Sequence, residues 1–173
     1  EITLIRQHIG ELPDHVHLIL PNFKANNRAL FDITDYAVTV RGTVSAELGC
    51  FGIPVFTAGT GRCDGMGFTV DSASTEEYLD RMAHIHEQSP LTAEQIRLAK
   101  IQAHSVFCRR PWQIKSFVTE FQPISPGYHP LDHNLHLNAK SVDEISRNGD
   151  LRRWAKWAMD TREIDYLEDL DQL

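Results

Sequence analysis

Short apolar runs and a helical pattern follow one another over residues 36–58. Residues 36–40 form a brief β-branched run, residues 44–51 follow a helical pattern closed by Gly52, and residues 54–58 form a second extended run. The pattern predicts a strand, a tight turn at residues 41–43, a short helix and a second strand. Such a unit is typical of an open parallel sheet.

The segments on either side of this unit carry weaker signals. Residues 15–20, His-Val-His-Leu-Ile-Leu, have the composition of a buried strand, and residues 68–71 predict a further short strand or extended exit. Residues 2–9 and about 28–31 predict short helices. The expected sheet therefore has three or four strands.

Helices are predicted to dominate the rest of the chain. Capping boxes at residues 74–77, 92–95 and 141–144 predict helices that begin at these three places. Residues 110–140 contain prolines and little periodicity, which predicts an irregular segment. Residues 150–170 predict one or two further helices.

Together these elements predict an α/β protein. Residues 1–109 are expected to form a Rossmann-like domain, with a small parallel sheet flanked by helices, and residues 110–173 an irregular and helical C-terminal extension that packs on it. Three or four strands are few for a complete doubly wound domain, and the sequence starts at Glu1 almost inside a patterned segment. We therefore expect the chain to be part of a longer protein.

Composition limits which binding partners and which cellular compartment we expect for this protein. The formal net charge of −7 disfavours nucleic-acid binding, which depends on Lys and Arg neutralising phosphates. No apolar run approaches the roughly 20 residues that a membrane helix needs. Three cysteines without CxxC spacing favour reduced thiols. These features predict a cytoplasmic location.

The turn at residues 41–47 carries candidate chemistry for an anionic ligand. Gly42 permits close approach of a phosphate, Arg41 supplies positive charge, and Thr43 and Ser45 place hydroxyls where a helix begins. Glu47 lies one turn later, where its carboxylate could accept hydrogen bonds from ribose hydroxyls. The alternative is that Thr43 only caps the helix and Arg41 pairs with Glu47 on the surface.

A glycine-rich loop follows the second predicted strand. Residues 59–67 contain four glycines in nine residues, which indicates a loop that approaches a ligand or another backbone closely. Because parallel strands end at the same sheet edge, this loop and the turn at residues 41–43 are expected to face one crevice.

These motifs resemble a known family. Residues 39–47 (Thr-Val-Arg-Gly-Thr-Val-Ser-Ala-Glu), 52–55 (Gly-Ile-Pro-Val), 58–59 (Ala-Gly) and 65–71 (Gly-Met-Gly-Phe-Thr-Val-Asp) are similar to the C-terminal, donor-binding half of GT-B-fold glycosyltransferases. Bacterial capsule and surface-polysaccharide transferases, including the Kdo-transferring type, look most similar. The resemblance covers about residues 15–88. It implies that the donor nucleotide is held by Arg41, Gly42, Thr43, Ser45 and Glu47, and that the donor loop includes Gly59, Gly61, Arg62, Gly65, Gly67 and Thr69.

The resemblance implies a glycosyltransferase. No cofactor and no metal are expected. The implied partners are a UDP-, GDP- or CMP-linked sugar, a saccharide acceptor, an N-terminal domain of the same protein, and membrane-bound synthesis machinery contacted peripherally. Leu20-Pro21 stands where the CMP-sugar enzymes carry His-Pro, which leaves the nucleotide open. The catalytic residues are unassigned. Two alternatives share the fold: a nucleotide-sugar epimerase, and a non-catalytic nucleotide-binding or interaction domain.

Two other clusters have simpler explanations. His129, Asp132, His133 and His136 fall within eight residues and could ligate a metal, but Pro-containing segments often expose histidines, so no metal site is assigned. Trp154 and Trp157 are spaced for one helix face and are expected to be a packing stripe.

Overall fold

The structure is a computed structural model that describes residues 2–20, 22–24, 26–59, 61–112, 114–120 and 134–168. Its chain divides into two compact units, residues 1–34 and 35–173. It is a mixed α/β structure with a small parallel sheet flanked by helices. The boundary expected after residue 109 stays a prediction. No helix in the described ranges combines the length and apolar character required to cross a bilayer.

The first unit contains two short helices, as the sequence predicts. Helix α1 spans Ile2–Ile9, and helix α2 spans Asn27–Phe31 with the Asn26 side chain accepting a hydrogen bond from the Arg28 backbone N–H. The predicted buried strand at residues 15–20 is wrong. These residues form no strand, and the exposed fractions of Leu18 and Ile19 are 39% and 51%. Local apolar composition is insufficient here because a strand also needs a neighbouring strand to satisfy its backbone.

The second unit begins with the predicted strand–helix–strand arrangement. Strand β1 spans Ala37–Thr39, helix α3 spans Val44–Gly49, and strand β2 spans Val55–Thr57. The two strands are parallel, with Ala37 opposite Val55 and Thr39 opposite Thr57. Residues 68–71 contribute only a parallel bridge between Val70 and Phe56. The described sheet is therefore two-stranded, and the expectation of three or four strands is wrong.

Two capped helices follow the sheet, as predicted. Helix α4 spans Thr75–Ala83, and the Ser74 hydroxyl accepts a hydrogen bond from the Glu77 N–H at 3.2 Å. Helix α5 spans Ala93–His104 behind a capping box formed by Thr92 and Gln95. It continues as one π-helical segment, Ser105–Arg109.

The core lies where α3 packs on α5. Its buried members are Ala46, Cys63, Phe68, Leu91 and Ala99. Gly49 permits this packing, because a Cβ added there would lie 2.8 Å from the Ala99 Cβ and 3.1 Å from Phe68 Cδ2. Through Cys63 and Phe68, the core therefore anchors the glycine-rich loop and the residue that follows it.

The C-terminal part contains a pair of strands that the sequence pattern did not indicate. Strand β3 spans Phe117–Glu120 and pairs antiparallel with strand β4, Asn134–Leu137. The prediction that residues 110–140 are irregular is thus wrong for both strands; residues 121–133 lie outside the described part. The predicted helices are present as α6, Val142–Arg147, and α7, Gly149–Asp160. The prediction of helix as far as residue 170 is wrong for residues 161–168, which are not helical.

A buried carboxylate joins the start of β3 to α7. Asp150 accepts hydrogen bonds from the backbone N–H groups of Lys115 and Ser116 at 2.8 and 2.9 Å, and from the Ser116 hydroxyl at 2.5 Å. Burial alone would raise the pKa of Asp150. The Ser116 side-chain hydrogen bond and the backbone hydrogen bonds from Ser116, Lys115 and Leu151 outweigh it and lower the pKa to about 2.

A second buried carboxylate holds the segment after α7. Glu168 is fully buried and accepts hydrogen bonds from Arg153 Nε and the Tyr166 hydroxyl, both at 2.9 Å. Its backbone exchanges two hydrogen bonds with Arg109, one to the Arg109 carbonyl and one from the guanidinium. Trp112 stacks on Trp154, which follows Arg153 on α7, with ring centroids 6.0 Å apart. Trp154 therefore contributes to packing, as the sequence predicts.

Candidate functional site

Two loops meet at the carboxyl edge of the parallel strands. The turn at residues 40–43 follows β1, and the glycine-rich loop follows β2. A Cβ built on Gly61 would lie 3.3 Å from the Val40 carbonyl oxygen, so the backbones of the two loops are in contact. The Ala58 N–H donates to the Thr39 carbonyl at 3.1 Å just before the loops separate. The edge therefore presents two adjacent loops.

The first turn is held by hydrogen bonds within itself. The Gly42 N–H donates to Thr39 Oγ1 at 3.2 Å, and the Ser45 hydroxyl donates to the Gly42 carbonyl at 2.9 Å. Ser45 is only 3% exposed. Its hydroxyl therefore braces the turn, and the expected role of Ser45 as a direct phosphate ligand is incompatible with this conformation.

Other side chains of the turn and of α3 form neither capping hydrogen bonds nor salt bridges with the described residues. Thr43 is the N-cap residue of α3, but its side chain makes no capping hydrogen bond. Arg41 is exposed and Glu47 is half-buried, and neither forms a salt bridge with any residue that the structure describes. The surface pairing of Arg41 with Glu47, one of the simpler explanations, is absent.

Two aspartates brace the glycine-rich loop, and sequence reasoning missed both roles. Asp64 Oδ2 accepts a hydrogen bond from the Gly61 N–H at 2.6 Å, and Asp71 Oδ2 accepts one from the Gly65 N–H at 2.7 Å. Asp71 Oδ1 also accepts from the Thr57 hydroxyl at 3.1 Å, which ties the loop to β2. The signal was available, because Asp commonly bonds nearby backbone N–H groups in turns.

Some of the remaining donor-loop residues border open space, and Thr69 is hydrogen-bonded within the loop. Gly59 and Gly65 have positive φ angles of 101° and 74°, and a Cβ at either would meet nothing within 4 Å. Arg62 and Gly67 are exposed. The Thr69 hydroxyl donates to the Cys63 carbonyl at 3.2 Å, so Thr69 supports the loop rather than presenting its hydroxyl.

A cavity of about 380 Å³ opens beside this edge, and no sequence pattern predicted it. It is lined by Ala58, Gly59, the turn at residues 72–75 and Tyr78. Gly59 belongs to both the cavity wall and the glycine-rich loop. We call this the Tyr78 cavity.

A second cavity, of about 420 Å³, lies between the sheet and α4. Phe56 and Val70 form its apolar base, and Asp80, Arg81, His84 and Glu87 line its charged rim. The pKa of His84 is raised by its hydrogen bond to the Asp80 carbonyl and by the charges of Asp80 and Glu87. Arg81 pairs at 2.6 Å with Glu77, which is outside the cavity lining, and His84 Nδ1 lies 3.4 Å from Asp80 Oδ1 within the rim.

The described residues offer no metal centre. They contain no group of three or more His, Cys, Asp or Glu side chains placed to hold an ion. Of the candidate histidine cluster, His129, Asp132 and His133 lie outside the described residues. His136 lies on β4 with its Nε2 3.3 Å from Glu120 Oε2 on β3.

Comparison with known proteins leaves the family undetermined. No protein-family model matches the chain, and neither the curated proteins nor the solved structures contain a match. The motifs and the geometry of the two loops are therefore the features that bear on function.

Proposed function

We propose that this chain is the nucleotide-sugar donor-binding part of a glycosyltransferase of bacterial surface-polysaccharide synthesis. In this proposal it is the Rossmann-like, C-terminal half of a GT-B fold, located in the cytoplasm and completed by an N-terminal domain. The observation that carries the proposal is the contact between the turn at residues 40–43 and the glycine-rich loop at Gly61. Ligands of open α/β sheets bind at such a carboxyl edge, next to the loops that follow the strands.

The side chains at this edge suit a nucleoside phosphate. Arg41 is exposed and unpaired among the described residues, and its guanidinium can donate two parallel hydrogen bonds to phosphate oxygens. Helix α3 has only six residues, so its dipole is short and Arg41 must supply most of the positive charge. Thr43 has a hydroxyl that the helix cap does not use. Glu47, one turn further along α3, offers a carboxylate to ribose hydroxyls.

The mechanism would be electrostatic stabilisation of the leaving group. When the bond between the sugar and the nucleotide phosphate breaks, negative charge develops on the departing phosphate. Arg41 and the Thr43 hydroxyl would stabilise that charge. Ser45, Asp64 and Asp71 would act indirectly, by fixing the two loops in contact. The acceptor and the general base would come from the N-terminal domain.

The experiment is a calorimetric titration of the chain with UDP, GDP and CMP. At least one nucleotide should bind, and Arg41→Ala should weaken that binding about tenfold to a hundredfold, the loss expected for hydrogen bonds to a charged group. Lys156→Ala changes another exposed cation, far along the chain on α7, and should leave binding unchanged. Absence of binding by all three nucleotides at millimolar concentration, with the circular dichroism spectrum of a folded protein, would refute the proposal.

A further inference from the structure

Two backbone amides of the glycine-rich loop donate to carboxylates of the same chain. The Gly61 N–H donates to Asp64 Oδ2 at 2.6 Å, and the Gly65 N–H donates to Asp71 Oδ2 at 2.7 Å. Backbone amides of glycine-rich loops are also the groups that hold phosphate oxygens in nucleotide-binding proteins, because no side chain blocks the approach. A carboxylate oxygen therefore lies at each amide in the position that a phosphate oxygen would take.

The two carboxylates differ in how firmly they are held. Asp71 Oδ1 accepts a hydrogen bond from the Thr57 hydroxyl at 3.1 Å, so both oxygens of Asp71 have a donor. Asp64 Oδ1 is buried and accepts no hydrogen bond from any described residue. A buried carboxylate oxygen without a donor destabilises the conformation that holds it, because it has lost its hydration and gained no hydrogen bond. Asp64 is therefore the easier of the two carboxylates to displace.

A second acceptor oxygen lies on the same side of Gly61. A Cβ built on Gly61 would lie 2.8 Å from Asp64 Oδ1 and 3.3 Å from the Val40 carbonyl oxygen. Both oxygens carry partial or full negative charge, and no described residue donates a hydrogen bond to Oδ1. Rotation of the Asp64 side chain towards water would hydrate both of its oxygens and remove Oδ1 from this position.

The rest of the loop is anchored, so such a rotation can be local. The Cys63 side chain belongs to the core, and the Cys63 carbonyl accepts a hydrogen bond from the Thr69 hydroxyl at 3.2 Å. On the other side of Asp64, Gly65 is exposed, and a Cβ built there would meet no atom within 4 Å. The Asp64 side chain thus has open space beside it, and the Gly61 N–H can be released while the loop keeps its path.

We propose that the Asp64 carboxylate is an internal competitor of the phosphate site: a phosphate that binds at this edge displaces Asp64 from the Gly61 N–H. The inference rests on the proposed function for the identity of the ligand, a nucleotide phosphate. The Gly61 backbone approaches the turn that carries Arg41, so a phosphate oxygen that accepts the Gly61 N–H lies on the side of the loop that faces this turn. Asp71 stays in place because both of its oxygens are hydrogen-bonded. Displacing a charged acceptor lowers the affinity for the phosphate.

Three variants separate competition by Asp64 from simple support of the loop. Asp64→Asn keeps an oxygen that can accept from the Gly61 N–H, so the path of the loop is preserved, but it lacks the competing charge. Asp71→Asn changes the carboxylate that is anchored at both oxygens. Glu163→Gln makes the same change of net charge at an exposed residue beyond α7. Circular dichroism and thermal unfolding establish that each variant is folded.

Each isotope-labelled protein is titrated with inorganic phosphate, and then with UDP, GDP and CMP, while the amide resonances of Gly61 and Gly65 are followed. Asp64→Asn should bind inorganic phosphate about three- to tenfold more tightly than the native chain, because a neutral acceptor forms a weaker hydrogen bond than a charged one and is displaced more easily. Its largest amide shift should be at Gly61. Glu163→Gln should bind phosphate as the native chain does, and Asp71→Asn no more tightly.

Support of the loop alone predicts the opposite sign for Asp64→Asn, namely unchanged or weaker binding. That result overturns the inference, as does absence of phosphate binding by Asp64→Asn. An equal gain in Asp71→Asn or Glu163→Gln, or a gain without a shift at Gly61, also overturns it. Failure of the proposed function is distinguishable, because UDP, GDP and CMP would then leave the amide shifts unchanged even where Asp64→Asn gains affinity for inorganic phosphate.

Discussion

Removing the charge of Asp150 should destabilise the C-terminal part of the protein at neutral pH. Asp150 is 6% exposed, and its carboxylate accepts three hydrogen bonds from Lys115 and Ser116. The pKa falls from an ordinary value of 3.8 to about 2. At about 1.4 kcal/mol for each pKa unit, this difference corresponds to roughly 2 kcal/mol of stability from the charged form. Asp150→Asn keeps one acceptor oxygen and the side-chain shape but loses that charge.

The sign of the pH dependence follows from the direction of the shift. Because folding lowers the pKa of Asp150, its contribution is fully present above about pH 4 and is lost as the pH falls towards 2. The native protein should therefore be more stable than Asp150→Asn by about 2 kcal/mol at pH 7, and the difference should shrink between pH 4 and pH 2.

Urea unfolding followed by tryptophan fluorescence measures this difference. Trp154 and Trp157 lie on α7, and Trp112 stacks on Trp154, so the fluorescence of the three tryptophans of the chain reports the relevant part of the protein. Glu163→Gln, an exposed carboxylate beyond α7, is the control and should change little at any pH. Equal stability of Asp150→Asn and the native protein at pH 7, or a difference that is constant down to pH 2, would refute the reasoning.

Three further changes test the packing and the loops. Gly49→Ala should lower the unfolding free energy by about 1–3 kcal/mol, because the new methyl group would lie 2.8 Å from the Ala99 Cβ; an unchanged thermal midpoint would contradict the close packing of α3 on α5. Glu168→Gln should cost about 1–3 kcal/mol, since it replaces the buried, charged partner of the Arg153 guanidinium by a neutral amide. A loss below about 0.5 kcal/mol in urea unfolding at neutral pH, roughly the scale of a surface change, would contradict this. Gly61→Ala should separate the two loops and weaken nucleotide binding with little loss of stability, so calorimetric affinity equal to that of the native chain would show that loop contact does not matter.

The strand–helix–strand unit could be predicted because its signals are local. A β-branched run, a glycine turn and a short helical pattern lie within residues 36–58, and the two strands pair with the helix between them. The helix starts at Ser74, Thr92 and Ser141 were predictable for the same reason, because a capping side chain bonds a backbone N–H only three residues away.

Strand pairing over long sequence distances was not predictable from the pattern. Residues 15–20 are as apolar as a buried strand, yet they remain exposed because no described strand pairs with them. Strands β3 and β4 pair across residues 121–133, and three of the four β3 residues are exposed, so no apolar alternation marks β3.

The sequence indicated the positions of the candidate site but not the orientation of its side chains. The residue types at positions 41–47 indicated an anion site, but sequence cannot show that the Ser45 hydroxyl turns to the Gly42 carbonyl while the Thr43 hydroxyl is left out of the helix cap. The Tyr78 cavity was missed because Tyr78 has the spacing of a core residue on α4. Only the three-dimensional path of residues 72–75 brings hydroxyls beside its ring.

The most direct test of the account is a map of nucleotide binding on the backbone. Amide chemical shifts of the isotope-labelled chain are followed during titration with UDP, GDP and CMP. We expect saturable shifts concentrated at residues 41–43 and 61–65, with weaker shifts along α3 and none on β3 and β4. Shifts centred on any other part of the chain, or no shifts at millimolar nucleotide, would contradict the claim that these two loops form a nucleotide site.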